Sequence, residues 1–234
     1  MRDAWRQQAP NWLAMVEAKL DRGWDFSRPR LLEVLPPPGR LTLDVGCGEG
    51  RLGRVLLDLG HRVIAVDIIE ELARAAAIKP PGLRVAVADA ARLPFSDGAA
   101  DLVVAYYSLL DTDDYVAAIA EAARVLEPGG RYCFVTVHPI AESGAFDDDE
   151  RFRIDRSYLD TWRYPDHRSW DGVEITYHSE HRPLEAYSKA LEDAGFTIEA
   201  IREPKPNEAE IEADPSRDRW QRIPNVLMVR ARRR

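Results

Sequence analysis

One segment limits what this chain can fold into more than any other. An apolar run at residues 41–45 enters Gly46-Cys47-Gly48-Glu49-Gly50, with glycine at every second position. Residues 51–59 then place Leu52, Val55, Leu56 and Leu59 on one helical face, and Gly60 marks the stop. Strand, glycine loop and helix in that order make a turn in which the backbone takes positive φ and a ligand can lie against bare main chain. The free N–H groups at the helix start favour a negatively charged or electron-rich ligand group.

The same alternation continues downstream. Strands are expected at 62–66, 83–88, 101–106 and 131–137, with helices at 70–77, closed by Pro80-Pro81, and at 113–126. A turn is expected at Glu127-Pro128-Gly129-Gly130. The strands are near-continuous apolar runs, as in a sheet covered by helices on both faces. Residues 184–194 read as a helix, and 197–202 and 225–231 as two last strands. The fold class is therefore α/β: a seven-stranded, mostly parallel sheet with helices on both faces, whose ligands bind at the carboxyl ends of the strands. Residues 3–35 read as helical, with Trp5, Ala9, Trp12, Leu13, Val16 and Leu20 on one face, and Pro36-Pro37-Pro38-Gly39 stops them. Arg232-Arg233-Arg234 reads as a frayed tail, and His61 as a surface turn residue.

Composition narrows the partners. Lys and Arg number 32 against 40 Asp and Glu, for a net charge of −8, which disfavours a phosphate backbone as partner. Cys47 and Cys133 are the only cysteines, too few for a disulfide framework or a thiolate zinc site, so no metal is expected. No apolar run approaches the roughly 20 residues of a membrane span, and the first residues lack the apolar core of a secretory signal. The expectation is a cytoplasmic protein with no nucleic-acid or membrane partner; oligomeric state is unreadable.

Asp44, Asp89 and the helix end Leu126-Glu127-Pro128-Gly129-Gly130 separate two readings of the loop. Gly48-Glu49-Gly50-Arg51-Leu52-Gly53 fits the glycine pattern of dinucleotide binders, and Asp67, ending the second strand, is placed for a ribose diol in either reading. Asp44, just before the glycines, would repel a pyrophosphate but can pair with an ammonium or orient the loop. Asp89 ends the third strand, where it can meet an adenine amino group. Together these describe an adenosine with a cationic amino-acid part and no phosphate, which S-adenosyl-L-methionine satisfies.

Five segments carry a family likeness: Leu43-Asp44-Val45-Gly46-Cys47-Gly48-Glu49-Gly50, Val66-Asp67, Ala88-Asp89-Ala90-Ala91-Arg92-Leu93-Pro94-Phe95, Ser96-Asp97-Gly98 with Asp101-Leu102-Val103, and Arg124-Val125-Leu126-Glu127-Pro128-Gly129-Gly130. In this ordered set the chain resembles the class I S-adenosylmethionine-dependent methyltransferases, Rossmann-like enzymes of the type 11 and ubiquinone-biosynthesis kind. The resemblance implies that Gly46, Gly48 and Gly50 surround the methionine part, Asp67 holds the ribose hydroxyls, and Asp89 with Ala90 meets the adenine. Asp44, Cys47, Ile68 and Tyr106 complete the expected cofactor set. A weaker resemblance at Val137-His138-Pro139, His181-Arg182-Pro183-Leu184 and Ala194-Gly195-Phe196 points to a small-metabolite branch.

The acceptor side is less determined. His138, at the end of the fifth strand, is the candidate general base, needed only if the acceptor must lose a proton. Tyr107, His178 and His181 are candidate substrate contacts, and Ser108 sits beside Tyr107 where the cleft opens. One domain is expected, divided into an N-terminal helical lid (1–38), a cofactor-binding core (40–138), an aromatic insertion (139–182) that packs on the sheet edge or covers a pocket, and a C-terminal helix with the last two strands (183–234). No Asp/Asn-Pro-Pro-Tyr/Phe segment follows the fourth strand, and no Pro-Cys pair occurs, so DNA-base methylation lacks its marks. The expected function is methyl transfer to a small molecule at O, N or C. The alternatives are a NAD(P)-dependent oxidoreductase and a non-catalytic cofactor-binding module.

Overall fold

The computed structural model describes residues 1–79 and 81–234. Two helices come first, α1 (Arg2–Glu17) and α2 (Arg22–Val34), the second capped by Asp21, whose carboxylate accepts from the N–H groups of Gly23 and Trp24. Strand and helix then alternate: β1 (Thr42–Val45), α3 (Arg51–Asp58), β2 (Val63–Asp67), α4 (Glu70–Ile78), β3 (Arg84–Val87), β4 (Ala100–Tyr106), the 3-10 turn Leu109–Asp111, α5 (Tyr115–Val125) and β5 (Leu126–Val137). The helix stop expected at Pro80-Pro81 rests in part on Pro80, outside the described residues; the last residue of α4 is Ile78. The expected turn at 127–130 is a bulge at the start of β5: Ala100 faces Leu126, and Leu102 already faces Arg131.

Beyond β5 come α6 (Pro139–Glu142) and two hairpins, β6 (Gly144–Phe146) with β7 (Phe152–Ile154), and β8 (Trp162–Trp170) with β9 (Val173–His181). The chain finishes with α7 (Leu184–Asp193), β10 (Phe196–Arg202), α8 (Glu208–Ala213) and β11 (Val226–Arg233). The central sheet has seven strands in the order β10-β11-β5-β4-β1-β2-β3. All pairings are parallel except those of β11, which runs antiparallel to both β5 and β10. The insertion adds no strand to this sheet.

Alternate residues of the inner strands feed opposite layers. Leu43, Val45, Val103 and Ala105 pack with Ile119 of α5 and Leu191 of α7. Ala65, Leu102, Val104 and Cys133 pack with Leu31 of α2 and Leu52 and Leu56 of α3. Each fully buried Leu, Ile or Val stabilises the fold by about 1.5–3 kcal/mol, so the two layers fix β1 and β4 side by side. Because the chain leaves β1 toward β2 on one side and β4 lies on the other, their carboxyl ends open a crevice where the strand order reverses.

Two expectations are corrected here. His61 is buried, not a surface residue, and its Nδ1 lies 3.0 Å from Thr42 Oγ1. Arg232 and Arg233 do not fray: they pair with Thr197 and Phe196 in the β10–β11 ladder, and Glu199 gathers the guanidiniums of Arg230 and Arg232.

Candidate functional site

The crevice is a cavity of about 470 Å³, a size typical of small-molecule sites. Its floor is the loop after β1. Gly46 N and Cys47 N both donate to Val66 O, at 2.7 and 3.0 Å, tying the loop to the end of β2. Gly46 has φ +74°, and a Cβ there would sit 2.2 Å from Ser108 Cβ. Ser108 in turn donates to Val45 O at 2.7 Å, so the loop and the turn after β4 are packed to contact. Asp67 Oδ2 accepts from Gly48 N and Oδ1 from Ile69 N, both at 2.8 Å. Asp89 Oδ1 accepts from Ala91 N at 2.9 Å and stays exposed at the end of β3.

Three buried carboxylates cluster under this loop. Burial pushes Asp44 up to about 7, and the charges of Glu49 and Asp67 push the same way, while a hydrogen bond from Gly53 N–H and the Arg54 guanidinium pull against them. Burial likewise pushes Asp67 up to about 6, opposed by the Ile69 and Gly48 N–H groups. Glu49 is wholly buried, and its Oε2 accepts from Trp12 Nε1 at 2.8 Å. Asp44 Oδ2 and Glu49 Oε1 have no hydrogen-bond partner. Concentrated negative charge beneath the loop suits a cation above it and opposes an anion.

The roof comes from both sides of the core in sequence. Trp5 and Trp12 of α1 meet edge-to-face at 5.7 Å, and Tyr177 of β9 closes the trio at 6.0 Å from Trp5. Trp12 Nε1 would lie 3.3 Å from a Cβ on Gly48. Arg51 stacks over Trp12 and Trp24 while its Nη2 lies 2.6 Å from Asp21 Oδ2. Beyond the loop, Tyr106 Oη lies 2.6 Å from Ser27 Oγ, and the Tyr107 ring crosses Tyr106 at 4.9 Å. Tyr107 takes φ +52°, a left-handed conformation unusual for a bulky residue. Burial pushes both phenols above their ordinary value, so they are hydrogen-bonding groups in neutral solution.

Of the residues singled out from sequence, Asp44, Gly46, Cys47, Gly48, Asp67, Ile68, Asp89, Ala90, Tyr106 and Tyr107 line this one cavity. Gly50, His138, His178 and His181 do not. Gly50 caps α3 at φ +83°, where a Cβ would meet Leu83 and Ala76. His138 is turned aside by Pro139: its Nδ1 accepts from Ile140 N at 3.1 Å, capping α6, and its Nε2 faces Glu203 at 2.9 Å. Burial lowers its pKa despite the Glu203 carboxylate. His178 lies opposite Pro165 in the β8–β9 hairpin. His181 is fully buried, stacked on Trp162 at 4.8 Å between Glu142 Oε2 and Tyr158 O. Cys47 is buried, and its thiol is held well above its ordinary value by burial and by Asp44.

The cavity also holds residues that the sequence reading passed over: Asp111, Tyr164, Asp166, Arg168 and Ser179. Four of them sit on the β8–β9 hairpin. Its turn, Asp171-Gly172 with φ of +47° and +84°, is an Asp-Gly hairpin signal that was available in the sequence. Asp111 carried no such signal, because Asp111-Thr112-Asp113-Asp114 reads as the solvated start of α5.

Comparison with known proteins gives the family of the chain. Residues 43–134 match the family described as a methyltransferase domain. The crystal structure of an S-adenosylmethionine-dependent methyltransferase from Mesorhizobium loti is 32% identical, with a TM-score of 0.72, covering 88% of this chain and 96% of that one. A 2-methyl-6-phytyl-1,4-hydroquinone methyltransferase from Synechocystis is 32% identical over 167 residues, 67% of this chain and 50% of its own length. A demethylmenaquinone methyltransferase from Beutenbergia cavernae is 34% identical over 113 residues, 48% of this chain and 46% of its own length. The chain spans about half the length of the curated relatives it matches. It belongs to the S-adenosylmethionine-dependent methyltransferase family. Among the described residues no helix is long and apolar enough to cross a membrane.

Proposed function

We propose that this chain binds S-adenosylmethionine and directs its methyl group to a small-molecule acceptor. The observation that carries the reading is the glycine floor at Gly46 and Gly48 over the buried Asp44, Glu49 and Asp67, within a cavity of about 470 Å³. A Cβ on either glycine would enter space that Ser108 or Trp12 borders, so the floor is bare backbone. Asp67 and Asp89 keep carboxylate oxygens at the ends of β2 and β3, suited to a ribose diol and to an adenine amino group. The negative charge beneath the floor favours a sulfonium and an ammonium, and it disfavours the pyrophosphate of a dinucleotide at the same loop. The helix α1 is the roof over the cofactor, held down by Trp12 on Glu49.

When bound, S-adenosylmethionine supplies an electrophilic methyl group. The chain's own part is to hold the acceptor in line and to keep water away, which accounts for much of the rate in such transfers. Tyr107 and Ser108 border the floor from the turn after β4, and Tyr164 and Tyr177 border it from the hairpin. The demethylmenaquinone and the hydroquinone named for two relatives suggest a small organic acceptor.

Calorimetry on the full chain tests the reading. S-adenosylhomocysteine is expected to bind in the micromolar range, about −8 kcal/mol, with NADH binding undetectable. NADH binding without S-adenosylhomocysteine binding overturns it in favour of an oxidoreductase. Incubating methyl-labelled cofactor with metabolite extracts, read by mass spectrometry, identifies the acceptor; cofactor binding with no transfer leaves a binding module.

A further inference from the structure

We propose that the methyl acceptor is an amine, and that Asp111 binds its ammonium group and takes its proton. This rests on reading the cavity as a methyl-transfer site. Asp111 closes the 3-10 turn that follows β4, three residues beyond Ser108, and it lines the same cavity as the glycine floor. Its Oδ1 accepts from Ser179 Oγ at 2.6 Å.

All the cations of this region but Arg2 are engaged with other groups. Arg168 pairs with Asp166 at 2.9 Å, Arg163 with Glu180 at 2.8 Å, and Arg51 with Asp21 at 2.6 Å. Arg182 is fully buried and grips the turn itself, donating to Thr112 O at 3.0 Å and Leu109 O at 3.3 Å. It fixes where Asp111 points without closing an ion pair on it. Arg2 lines the cavity as an exposed residue of α1.

Three aromatic side chains share the cavity with this carboxylate, from three elements: Trp5 of α1, Tyr164 of β8 and Tyr177 of β9. A carboxylate that shares a cavity with aromatic side chains suits an ammonium, through charge and cation–π attraction together. The neighbouring acids point to the same ligand. Glu142 accepts from Tyr164 Oη at 2.6 Å, and its other oxygen lies 3.2 Å from His181 Nδ1. Since His181 Nε2 also faces a carbonyl, both ring nitrogens face acceptors, which raises the imidazole pKa against the opposing effect of burial. Glu142 accepts the Tyr164 proton in their hydrogen bond, so the Tyr164 oxygen offers the cavity an acceptor. An amine, with several N–H donors, satisfies both Asp111 and Tyr164; an anionic acceptor meets repulsion.

Burial raises the Asp111 carboxyl to about 7; Glu142 adds to this, while Ser179, Trp5 and Arg182 pull it down. A group poised there can give up its proton to solvent and receive another from a bound ammonium. In that step an N–H bond breaks, an O–H bond forms on Asp111, and the electron pair stays on nitrogen as the lone pair that methylation needs. Burial favours the resulting neutral pair over the ion pair.

The test uses the full chain saturated with S-adenosylhomocysteine and three matched probes: phenethylamine, phenethyl alcohol and phenylacetate. Calorimetry is expected to show the amine binding at least about tenfold more tightly than the alcohol, and phenylacetate not at all. The amine stays protonated through neutral pH, so its affinity follows ionisation of Asp111 and falls about tenfold between pH 8 and pH 6. Asp111→Asn is expected to abolish both the amine preference and this pH dependence while S-adenosylhomocysteine affinity stays within about twofold; Asp111→Glu restores part of the preference. Equal binding of amine and alcohol, or a preference that survives in Asp111→Asn, overturns the proposal. Failure of the wild-type chain to bind S-adenosylhomocysteine overturns the methyl-transfer reading and this proposal with it.

Discussion

Substituting Gly46→Ala tests the floor directly. The new Cβ would sit 2.2 Å from Ser108 Cβ and 2.6 Å from Ser108 Oγ, on a backbone at φ +74°. The left-handed conformation costs alanine about 1–2 kcal/mol. Forcing Ser108 aside costs about 1–3 kcal/mol more and loosens its hydrogen bond to Val45 O. The sum, about 2–5 kcal/mol, is a large share of the 5–15 kcal/mol that typically separates a native domain from its unfolded chain. Urea unfolding reads the loss as a lower midpoint at constant slope. The two contributions separate in a cycle with Ser108→Gly, which removes the colliding Cβ and leaves the backbone cost in place. The double variant is expected to be less destabilised than the sum of the singles by about 1–3 kcal/mol. Additivity within about 0.5 kcal/mol, or a Gly46→Ala protein as stable as wild type, refutes the contact between floor and turn.

Asp67→Asn leaves one amide oxygen where two carboxylate oxygens now accept from Gly48 and Ile69, and calorimetry should show S-adenosylhomocysteine affinity falling about 10–100-fold. Trp12→Phe removes the hydrogen bond to the buried Glu49 carboxylate and leaves it only the longer contacts to Arg51 and Arg54, at an expected cost of about 1.5–3 kcal/mol in urea unfolding, with a smaller cost in a Glu49→Gln background. Asp44 and Asp67 have folded pKa values of about 7 and about 6, above the ordinary carboxylate value, so the folded chain binds more protons than the unfolded one between about pH 4 and pH 7. Their contribution therefore destabilises the fold above pH 7 and is relieved as pH falls toward 4; the slope of unfolding free energy between pH 7.5 and 5.5 should flatten in Asp44→Asn.

The sheet was legible in sequence because its inner strands are buried on both faces. Leu43, Val45, Val103 and Ala105 on one layer, and Leu102 and Val104 on the other, leave apolar runs that loops do not produce. The floor was legible because positive φ at Gly46 and Gly48 leaves glycine as its trace in the chain. The β8–β9 hairpin was not, because a two-stranded ribbon outside the main sheet buries little: Arg163, Pro165, His167 and Arg168 are all exposed, and the apolar alternation is interrupted. His138 misled for a local reason. Its place at the end of β5 is the one expected of a base, but the following Pro139 starts α6 and draws the imidazole onto Ile140 N as a cap. Asp111 lacked a signal because its meaning comes from Ser179 and Arg182, about 70 residues away, which no local pattern encodes.

The turn from Tyr107 to Thr112 links the two halves of the cavity mechanically. At one end Ser108 abuts Gly46, and at the other Asp111 shares the cavity with the aromatic side chains, with Arg182 holding the carbonyls between them. A ligand on the glycine floor would therefore press on the segment that carries the acidic group. Thermodynamic reciprocity then requires that whatever one ligand gains from the other's presence is returned in equal measure. Any coupling between a ligand on the floor and one at Asp111 would run through the short turn after β4.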